Sequence, residues 1–295
     1  MSLRFEKTEF LSAELSNESS LPPFSEQENI QNLKEANLDE DDGLFIGYGF
    51  LDSIFPYKMQ DGYSEEMKPK KYTTAILEND YLKAVFLPDF GGRLWSLYDK
   101  KAGKDLLYRN RAIRPRNLAV RNAWLAGGIE FNCGMVGHGP YTCSTIFTAE
   151  TKLEDGTPVL RMYEFERIRG TVYQMDFFLP DDSPLLFGRM RIVNRKSEVV
   201  PMYWWTNMAL PEGKEYRNII PAHSAYTNAG RTVSKVTVPN FNNTDITYPT
   251  NNSVAVDYFW KLDEKQRKFT AYLDKNGEGF VQASTNRLQG RKLFV

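Results

Sequence analysis

The sequence predicts a mainly β protein, built as a large antiparallel β-sandwich. Aromatic residues make up 14% of the chain, and 20 glycines and 15 prolines are spread along it. This composition is typical of strands separated by tight turns. Few stretches repeat apolar residues at helical spacing, whereas alternation of apolar and polar residues recurs. All-β chains of this length often fold as a single domain.

The clearest strand pattern begins at Lys71. From there to Arg109 the sequence indicates an antiparallel meander, because short apolar runs are separated by turn-forming residues. The predicted turns lie at residues 78–80, 89–92 and 101–104. The same alternation of strand and turn recurs over residues 159–180, 185–211 and 268–285.

We predict two parts in the chain. Residues 1–45 form a polar, partly extended N-terminal arm, since residues 11–43 are acidic and rich in turn formers. Residues 46–295 form the sandwich domain. The last residues, 287–295, resemble the beginning of a strand with nothing after it. Either the chain ends on an edge strand or, as we expect, the domain lacks its C-terminal strands, as a fragment of a longer protein would.

Charge and rare residues exclude several functions. The net charge is -1 and the basic residues are dispersed, so we expect neither nucleic acid nor a membrane surface as partner. No apolar run reaches the roughly 20 residues of a membrane span, and no secretion signal opens the chain, which points to the cytoplasm. Cys133 and Cys143 lack metal or disulfide spacing, and the histidines are only His138 and His223. We expect two buried thiols, no metal and no cofactor.

The segment from Trp124 to Tyr141 concentrates the chemically active residues. Its glycines allow positive φ angles and close approach of the backbone to a ligand. Glu130, Asn132, His138 and Tyr141 supply hydrogen-bond donors and acceptors within the same short stretch. A plain glycine-rich turn would not need these neighbours, so we predict a binding site here.

His138 and Glu130 are the candidate acid and base. Glycines flank His138, so it is predicted to be accessible rather than packed in a core. Glu130 lies between two apolar residues, where burial would raise its pKa and keep it competent as an acid. A position on the solvent face of a sheet is the alternative for Glu130.

The mixture of groups suits a sugar. Sugars offer apolar C–H faces ringed by hydroxyls, which bind aromatic platforms together with carboxylates, amides and arginines. Trp124 and Trp205 are the predicted platform. Trp204 would point to the opposite face of the same strand, whereas Trp95 and Trp260 are assigned to the core. The further candidates for binding sugar hydroxyls are Arg93, Arg121, Asn122, Asn132, Tyr141, Asn207 and Glu212.

Two blocks of sequence resemble a known superfamily. The run "PDFGGRLWSLYDKKAGKDLLY" is similar to the start of aldose 1-epimerase domains, and "AGGIEFNCGMVGHGPYT" looks like the block whose histidine contacts the sugar near its anomeric centre. The resemblance implies a galactose-mutarotase-like supersandwich. From Tyr72 to Val295 the chain is more closely similar to an uncharacterised bacterial branch, a domain of unknown function (DUF5107) often fused to tetratricopeptide repeats.

The chain departs from the enzymes of that superfamily at two points. Where they carry a second histidine as acid, this chain has Asn207, and an amide cannot transfer a proton. Their glutamate base lies near the C-terminal end, and no counterpart occurs before Val295.

Three hypotheses follow. The first is an isomerase or glycoside-active enzyme that uses His138 and Glu130, with Glu130 and Glu212 as the pair for glycoside cleavage. The second is a non-catalytic carbohydrate-binding or sensing module. The third is a scaffold domain for attached helical repeats.

Overall fold

The computed structural model describes residues 1–20, 35–37, 51, 53–135, 137–211, 216–219, 223–227, 232–241, 243–248, 258–259, 268–273 and 279–284. A 3-10 turn, Pro88–Phe90, lies between the fourth and fifth strands. In chain order the strands of this described part are β1 (Ser2–Leu15), β2 (Glu35–Asn37), β3 (Tyr63–Glu78), β4 (Leu82–Leu87), β5 (Arg93–Asp99), β6 (Lys104–Asp105), β7 (Ala112–Ile113), β8 (Arg116–Ala119), β9 (Asn122–Trp124), β10 (Ile129–Cys133), β11 (Phe147–Lys152), β12 (Pro158–Glu166), β13 (Thr171–Phe178), β14 (Phe187–Val193), β15 (Trp204–Met208), β16 (Arg217–Ile219), β17 (Ser224–Thr227), β18 (Thr232–Thr237), β19 (Asn240–Phe241), β20 (Thr244–Asp245), β21 (Tyr258–Phe259), β22 (Lys268–Leu273) and β23 (Gly279–Ser284).

The chain divides into two compact units. One unit contains Met1–Gln27 and Leu51–Leu210, and the other contains Glu28–Phe50 and Pro211–Val295. This division differs from the predicted boundary between an arm over residues 1–45 and a domain over residues 46–295. The reason is β1, which pairs with β3 from one end to the other and is part of a sheet.

The first unit contains a large sheet of eight strands and a small sheet of four. The large sheet has the order β15-β10-β5-β4-β3-β1-β7, with β6 paired to β5, and the small sheet has the order β11-β12-β13-β14. All pairs in these two sheets are antiparallel except β1 with β7. The predicted meander corresponds to β3, β4 and β5, which are neighbours in the sheet.

Aromatic contacts join the two sheets of the first unit. The ring of Phe177 on β13 lies 4.8 Å from that of Phe86 on β4 and 5.1 Å from that of Phe131 on β10. Rings at these separations pack in direct contact and add to the hydrophobic stabilisation of burial. The packing of one antiparallel sheet on another confirms the predicted mainly β sandwich.

The other face of the large sheet is also covered. In β5 the five residues from Arg93 to Leu97 are all buried, so this strand has protein on both of its faces. Trp95, predicted to be a core residue, is 2% exposed and belongs to a cluster with Tyr72, Ile113 and Leu125. Residues 106–128, between β6 and β10, contribute Ile113, Ala123 and Leu125 to this cluster, and we call them the lid segment because they cover this face.

The second unit contains smaller sheets in its described residues. Their orders are β16-β22-β23, β2-β18-β17-β21 and β19-β20. Within this unit, β2 pairs with β18 in parallel. Trp260 and Glu212, both named in the sequence predictions, lie outside the described residues.

The predicted turn at residues 89–92 is present and has a specific geometry. The 3-10 turn of Pro88–Phe90 ends at Gly91, whose φ is 65°. A Cβ atom at Gly91 would lie 2.7 Å from the carbonyl oxygen of Tyr141. Only glycine combines this left-handed conformation with the close approach of the loop that carries Tyr141.

Both cysteines are free and buried, as predicted. Burial raises the pKa of the Cys143 thiol to about 12, because the thiolate is disfavoured away from water. The described residues contain no helix long and apolar enough to cross a membrane.

The contact between the sheets gives a test of the fold. We expect Phe177→Ala to lower the free energy of unfolding by about 3–5 kcal/mol, because it opens a cavity between two packed rings. Phe147→Ala is the control, since Phe147 is 60% exposed, and it should cost about 1 kcal/mol or less. Urea unfolding measures both values. Equal losses in the two variants would contradict the sandwich packing described here.

Candidate functional site

Strand β10 places the candidate residues on one face of the large sheet. Phe131 points toward Phe177 of the small sheet. Because side chains alternate along a strand, Glu130 and Asn132 project from the opposite face. The neighbouring strand β15 pairs with β10 so that Asn207 stands opposite Glu130 and Trp205 stands opposite Asn132. The site is thus assembled on two paired strands and covered by the lid segment.

One oxygen of Glu130 collects three hydrogen bonds. Its Oε2 accepts from the indole Nε1–H of Trp124 at 3.0 Å and from the amide Nδ2–H of Asn207 at 3.3 Å. The Nδ1 atom of His138 lies 2.8 Å from the same oxygen. The other oxygen, Oε1, lies 3.8 Å from the guanidinium of Arg93. Glu130 is 2% exposed, so these groups replace its water.

The surroundings of Glu130 keep it ionised. Burial by itself would raise the pKa of this carboxyl, but the hydrogen bond to His138 and the charge of Arg93 outweigh burial and lower the pKa to about 2. The prediction that burial would raise this pKa and make Glu130 an acid is therefore wrong. The sequence predicts an apolar environment from the flanking Ile129 and Phe131, but these two side chains point to the other face of the sheet. Glu130 is a carboxylate that accepts hydrogen bonds.

His138 lies between two tryptophan rings. Its imidazole centroid is 5.2 Å from that of Trp124 and 5.2 Å from that of Trp205, with interplanar angles of 56° in both pairs. The side chain is 18% exposed, so it is more enclosed than its flanking glycines indicate. Its position is fixed by residues that are distant in sequence. Trp205 is in turn held by a hydrogen bond from its Nε1–H to the carbonyl oxygen of Gly137, at 3.1 Å.

The prediction that Trp204 and Trp205 face opposite ways is confirmed. Trp205 contacts His138, whereas Trp204 stacks on Phe131 with their ring planes 4° apart. Trp205 is therefore the member of the pair that belongs to the site.

Arg93 lies beneath the site as a buried counter-charge. Its Nη1 donates to the carbonyl oxygen of Gly127 at 2.9 Å and its Nη2 donates to Thr142 Oγ1 at 3.0 Å. The guanidinium also lies 5.9 Å from the ring centre of Trp124. At 1% exposure, Arg93 is engaged with protein groups in place of the predicted contact with sugar hydroxyls. Burial lowers the pKa of Arg93.

Asn132 and Tyr141 have internal partners. Asn132 is fully buried, and its Oδ1 accepts a hydrogen bond from the backbone N–H of Gly139 at 2.5 Å. The Tyr141 hydroxyl donates to the carbonyl oxygen of Phe165 at 2.9 Å. Asn132 therefore lies at the site and supports its glycine loop, whereas the ring of Tyr141 packs on Tyr57 and Tyr173.

Arg121 and Asn122 lie in the lid segment. The Arg121 guanidinium donates to the carbonyl oxygens of Lys58 and Pro140, at 2.7 and 2.8 Å. Asn122 has a φ of 75°, a conformation that asparagine tolerates better than most residues. Arg121 thus holds two backbone carbonyls, and Asn122 adopts a left-handed backbone conformation at the start of β9. Glu212, the remaining candidate, lies outside the described residues.

Sequence reasoning missed Thr142 and Gln60. Thr142 holds Arg93 in place, and Gln60 donates to the carbonyl oxygen of Cys143 at 3.3 Å and to Ser144 Oγ at 2.9 Å. Gln60 lies 64 residues before Trp124, the first residue of the predicted site segment, and has no local sequence pattern to mark it. Its contacts arise only from the fold.

The lowered pKa of Glu130 predicts how stability depends on pH. Because the folded pKa of about 2 lies below the reference value of 4.5, the stabilisation is complete above pH 4.5 and is lost as pH falls toward 2. We expect the difference in unfolding free energy between wild type and Glu130→Gln to shrink by roughly 2–3 kcal/mol from pH 5 to pH 2.5. Urea unfolding across this range measures it, with the exposed Glu150→Gln as control. A difference that stays constant or widens would contradict the assignment.

Comparisons with known proteins agree with this architecture. The family model described as Domain of unknown function (DUF5107) matches residues 51–295. A solved structure with a similar fold is that of a TPR-domain containing protein from Parabacteroides distasonis, with a TM-score of 0.70 and 20% sequence identity. The alignment covers 92% of this chain and 42% of that protein, so this chain corresponds to less than half of its structural relative. The extent of the family match shows that this chain belongs to the family of domains of unknown function designated DUF5107.

Proposed function

We propose that this chain carries a carbohydrate site of the galactose-mutarotase type, in which His138 exchanges a proton with an oxygen of a sugar or oligosaccharide. The observation that supports this most is the pairing of His138 with a buried, ionised Glu130 between two tryptophans. This arrangement combines a proton-transfer group with apolar surfaces, which are the two features that a reacting sugar ring needs.

Glu130 determines which nitrogen of His138 is available. A carboxylate accepts but does not donate, so it favours the imidazole tautomer that carries its proton on Nδ1. Nε2 is then the atom that takes a proton from a sugar hydroxyl, or returns one to a ring oxygen once the imidazole is protonated. In this proposal Glu130 orients His138 and stabilises its charged form, and it is not itself the acid.

The tryptophans serve two purposes in the proposal. Trp124 and Trp205 restrain the imidazole by packing on both sides of it, and their half-buried rings offer apolar surface to the C–H face of a sugar. Asn207 adds an amide beside them. The buried Arg93 balances the charge of Glu130, so a neutral sugar meets no excess of negative charge.

A non-catalytic sugar-binding module is the second candidate. Mutarotation needs both an acid and a base near the anomeric centre, and Glu130 with a pKa of about 2 is a poor proton donor. The amide of Asn207 cannot supply the second proton. The binding candidate keeps the aromatic platform and uses His138 as a hydrogen-bond partner only.

The longer chain of the structural relative suggests the setting in which the site works. Because this chain corresponds to 42% of a TPR-domain containing protein, we propose that helical repeats are attached to it in its full-length form. Under this proposal the domain either presents a sugar site beside the repeats or serves as their scaffold.

Two buried free thiols support a cytoplasmic location.

Calorimetry against glucose, galactose, xylose and their oligosaccharides tests the proposal. We expect at least one sugar to bind wild type, and His138→Gln to bind it roughly tenfold more weakly or worse, since one strong hydrogen bond is lost. His223→Gln is the matched control, because His223 is exposed and lies in the other unit. The affinity of this variant for the sugar should equal that of wild type.

A second measurement separates the two candidates. For a sugar that binds, nuclear magnetic resonance follows the exchange between its anomers. Acceleration by wild type and His223→Gln, but not by His138→Gln, supports the enzyme. Binding without acceleration supports the module. If no sugar binds, or if His138→Gln binds as wild type does, the proposed carbohydrate site is rejected.

A further inference from the structure

The loop that carries His138 is held from outside the site by two buried side chains. We refer to residues 138–144 as the histidine loop. Arg121 Nη1 donates to the carbonyl oxygen of Pro140 at 2.8 Å, and Gln60 Nε2 donates to that of Cys143 at 3.3 Å. Both side chains also bond Ser144 Oγ, at 3.2 and 2.9 Å. Two carbonyls of this loop, those of Pro140 and Cys143, are therefore satisfied by side chains rather than by a sheet ladder.

Arg121 connects three segments that are far apart in sequence. Besides its bonds to the histidine loop, its Nε donates to the carbonyl oxygen of Lys58 at 2.7 Å. Its Nη2 forms an ion pair with Glu18, which follows β1. The Arg121 side chain is 2% exposed, whereas that of Glu18 is 46% exposed. Glu18 is thus the counter-charge of a buried cation. It connects that cation to residues 1–20, which we call the N-terminal segment.

Backbone hydrogen bonds run parallel to these side-chain contacts. The N–H of Ser19 donates to the carbonyl oxygen of Met59 at 2.9 Å, and the N–H of Gln60 donates to that of Arg121 at 2.7 Å. The N-terminal segment, the chain around Gln60 and the start of β9 are consequently tied in series. A displacement of the N-terminal segment would act on Arg121 and Gln60 together, and both of these hold the histidine loop.

We infer that Arg121, with Glu18 as its counter-charge, is a positioning residue of His138 and couples the N-terminal segment to the site. The importance of this role rests on the proposed function, in which His138 is the working group. The guanidinium serves this role because its planar fork donates in several fixed directions at once. A lysine at this position keeps the charge but cannot make the bonds to Lys58, Pro140, Ser144 and Glu18 together.

The histidine signals in nuclear magnetic resonance test the inference without a ligand. The chain has only two histidines, His138 and His223, so their imidazole C–H signals are readily assigned with His223→Gln. We expect Arg121→Lys and Glu18→Gln to shift the ring signals of His138 beyond their line width and to leave those of His223 unchanged. The ring currents of Trp124 and Trp205 make the His138 signals sensitive to a small displacement.

A matched substitution controls for the change of side chain. Arg114→Lys alters an exposed arginine that pairs with Glu65 on the surface, and the His138 signals should stay as in wild type. Thermal unfolding by circular dichroism shows which variants are folded. Glu18→Gln keeps the shape of an exposed side chain, so it decides the matter if Arg121→Lys does not fold.

The outcomes are distinct from those of the proposed function. If a sugar binds wild type, a folded Arg121→Lys variant should bind it about tenfold more weakly, and Arg114→Lys should bind it normally. If no sugar binds, the shift of the His138 signals alone still supports the positioning role, and only the proposed function is rejected. Folded variants of Arg121 and Glu18 whose His138 signals match wild type would overturn the inference.

Discussion

A carboxylate taken out of water needs partners for its charge, and at Glu130 those partners come from four parts of the first unit. Trp124 lies on β9, His138 on the histidine loop, Asn207 on β15 and Arg93 on β5. A buried charge without such partners costs several kcal/mol, so the fold is stable with Glu130 only if these elements lie where they are observed. The lid segment, the edge strand β15 and the histidine loop thus all contact the side chain of Glu130.

Arg93 and two neighbours of His138 are held by a second set of groups. Thr142 and Gly127 fix Arg93, Gly137 fixes Trp205, and Gly139 is bonded to Asn132. Most of these groups are backbone atoms or small side chains in glycine-rich loops, where the chain can approach its neighbours closely. Such double support keeps a side chain within the narrow range of positions that proton transfer needs. It is also how a site on loops acquires the rigidity of one built on strands.

The electrostatics define what the site can do. The carboxylate of Glu130, whose pKa is lowered to about 2, favours one tautomer of the imidazole, and in our proposal Nε2 is then the atom that exchanges a proton with the ligand. Beside His138 lie the carboxylate of Glu130, with its lowered pKa, and the amide of Asn207, and neither of them donates a proton as an acid. A second acid is the feature that distinguishes the proposed enzyme from the proposed binding module.

The sequence by itself determined the mainly β class, the meander over β3 to β5, the core position of Trp95 and the opposite orientations of Trp204 and Trp205. These features depend on the local alternation of side chains and on turn-forming residues, and both are directly visible in the sequence. It also singled out Glu130 and His138, whose side chains are in contact, because a short-range density of polar groups and glycines is visible along the chain.

Only the tertiary structure decided the ionisation of Glu130, the enclosure of His138 and the structural roles of Arg93 and Arg121. Each depends on groups from strands distant in sequence, and a pKa reflects the balance between burial and those groups. The pairing of β1 with β3 belongs to the same class of feature, since its partners lie about sixty residues apart in the chain. The residues adjacent to a buried charge in sequence do not indicate which distant residue will contact it.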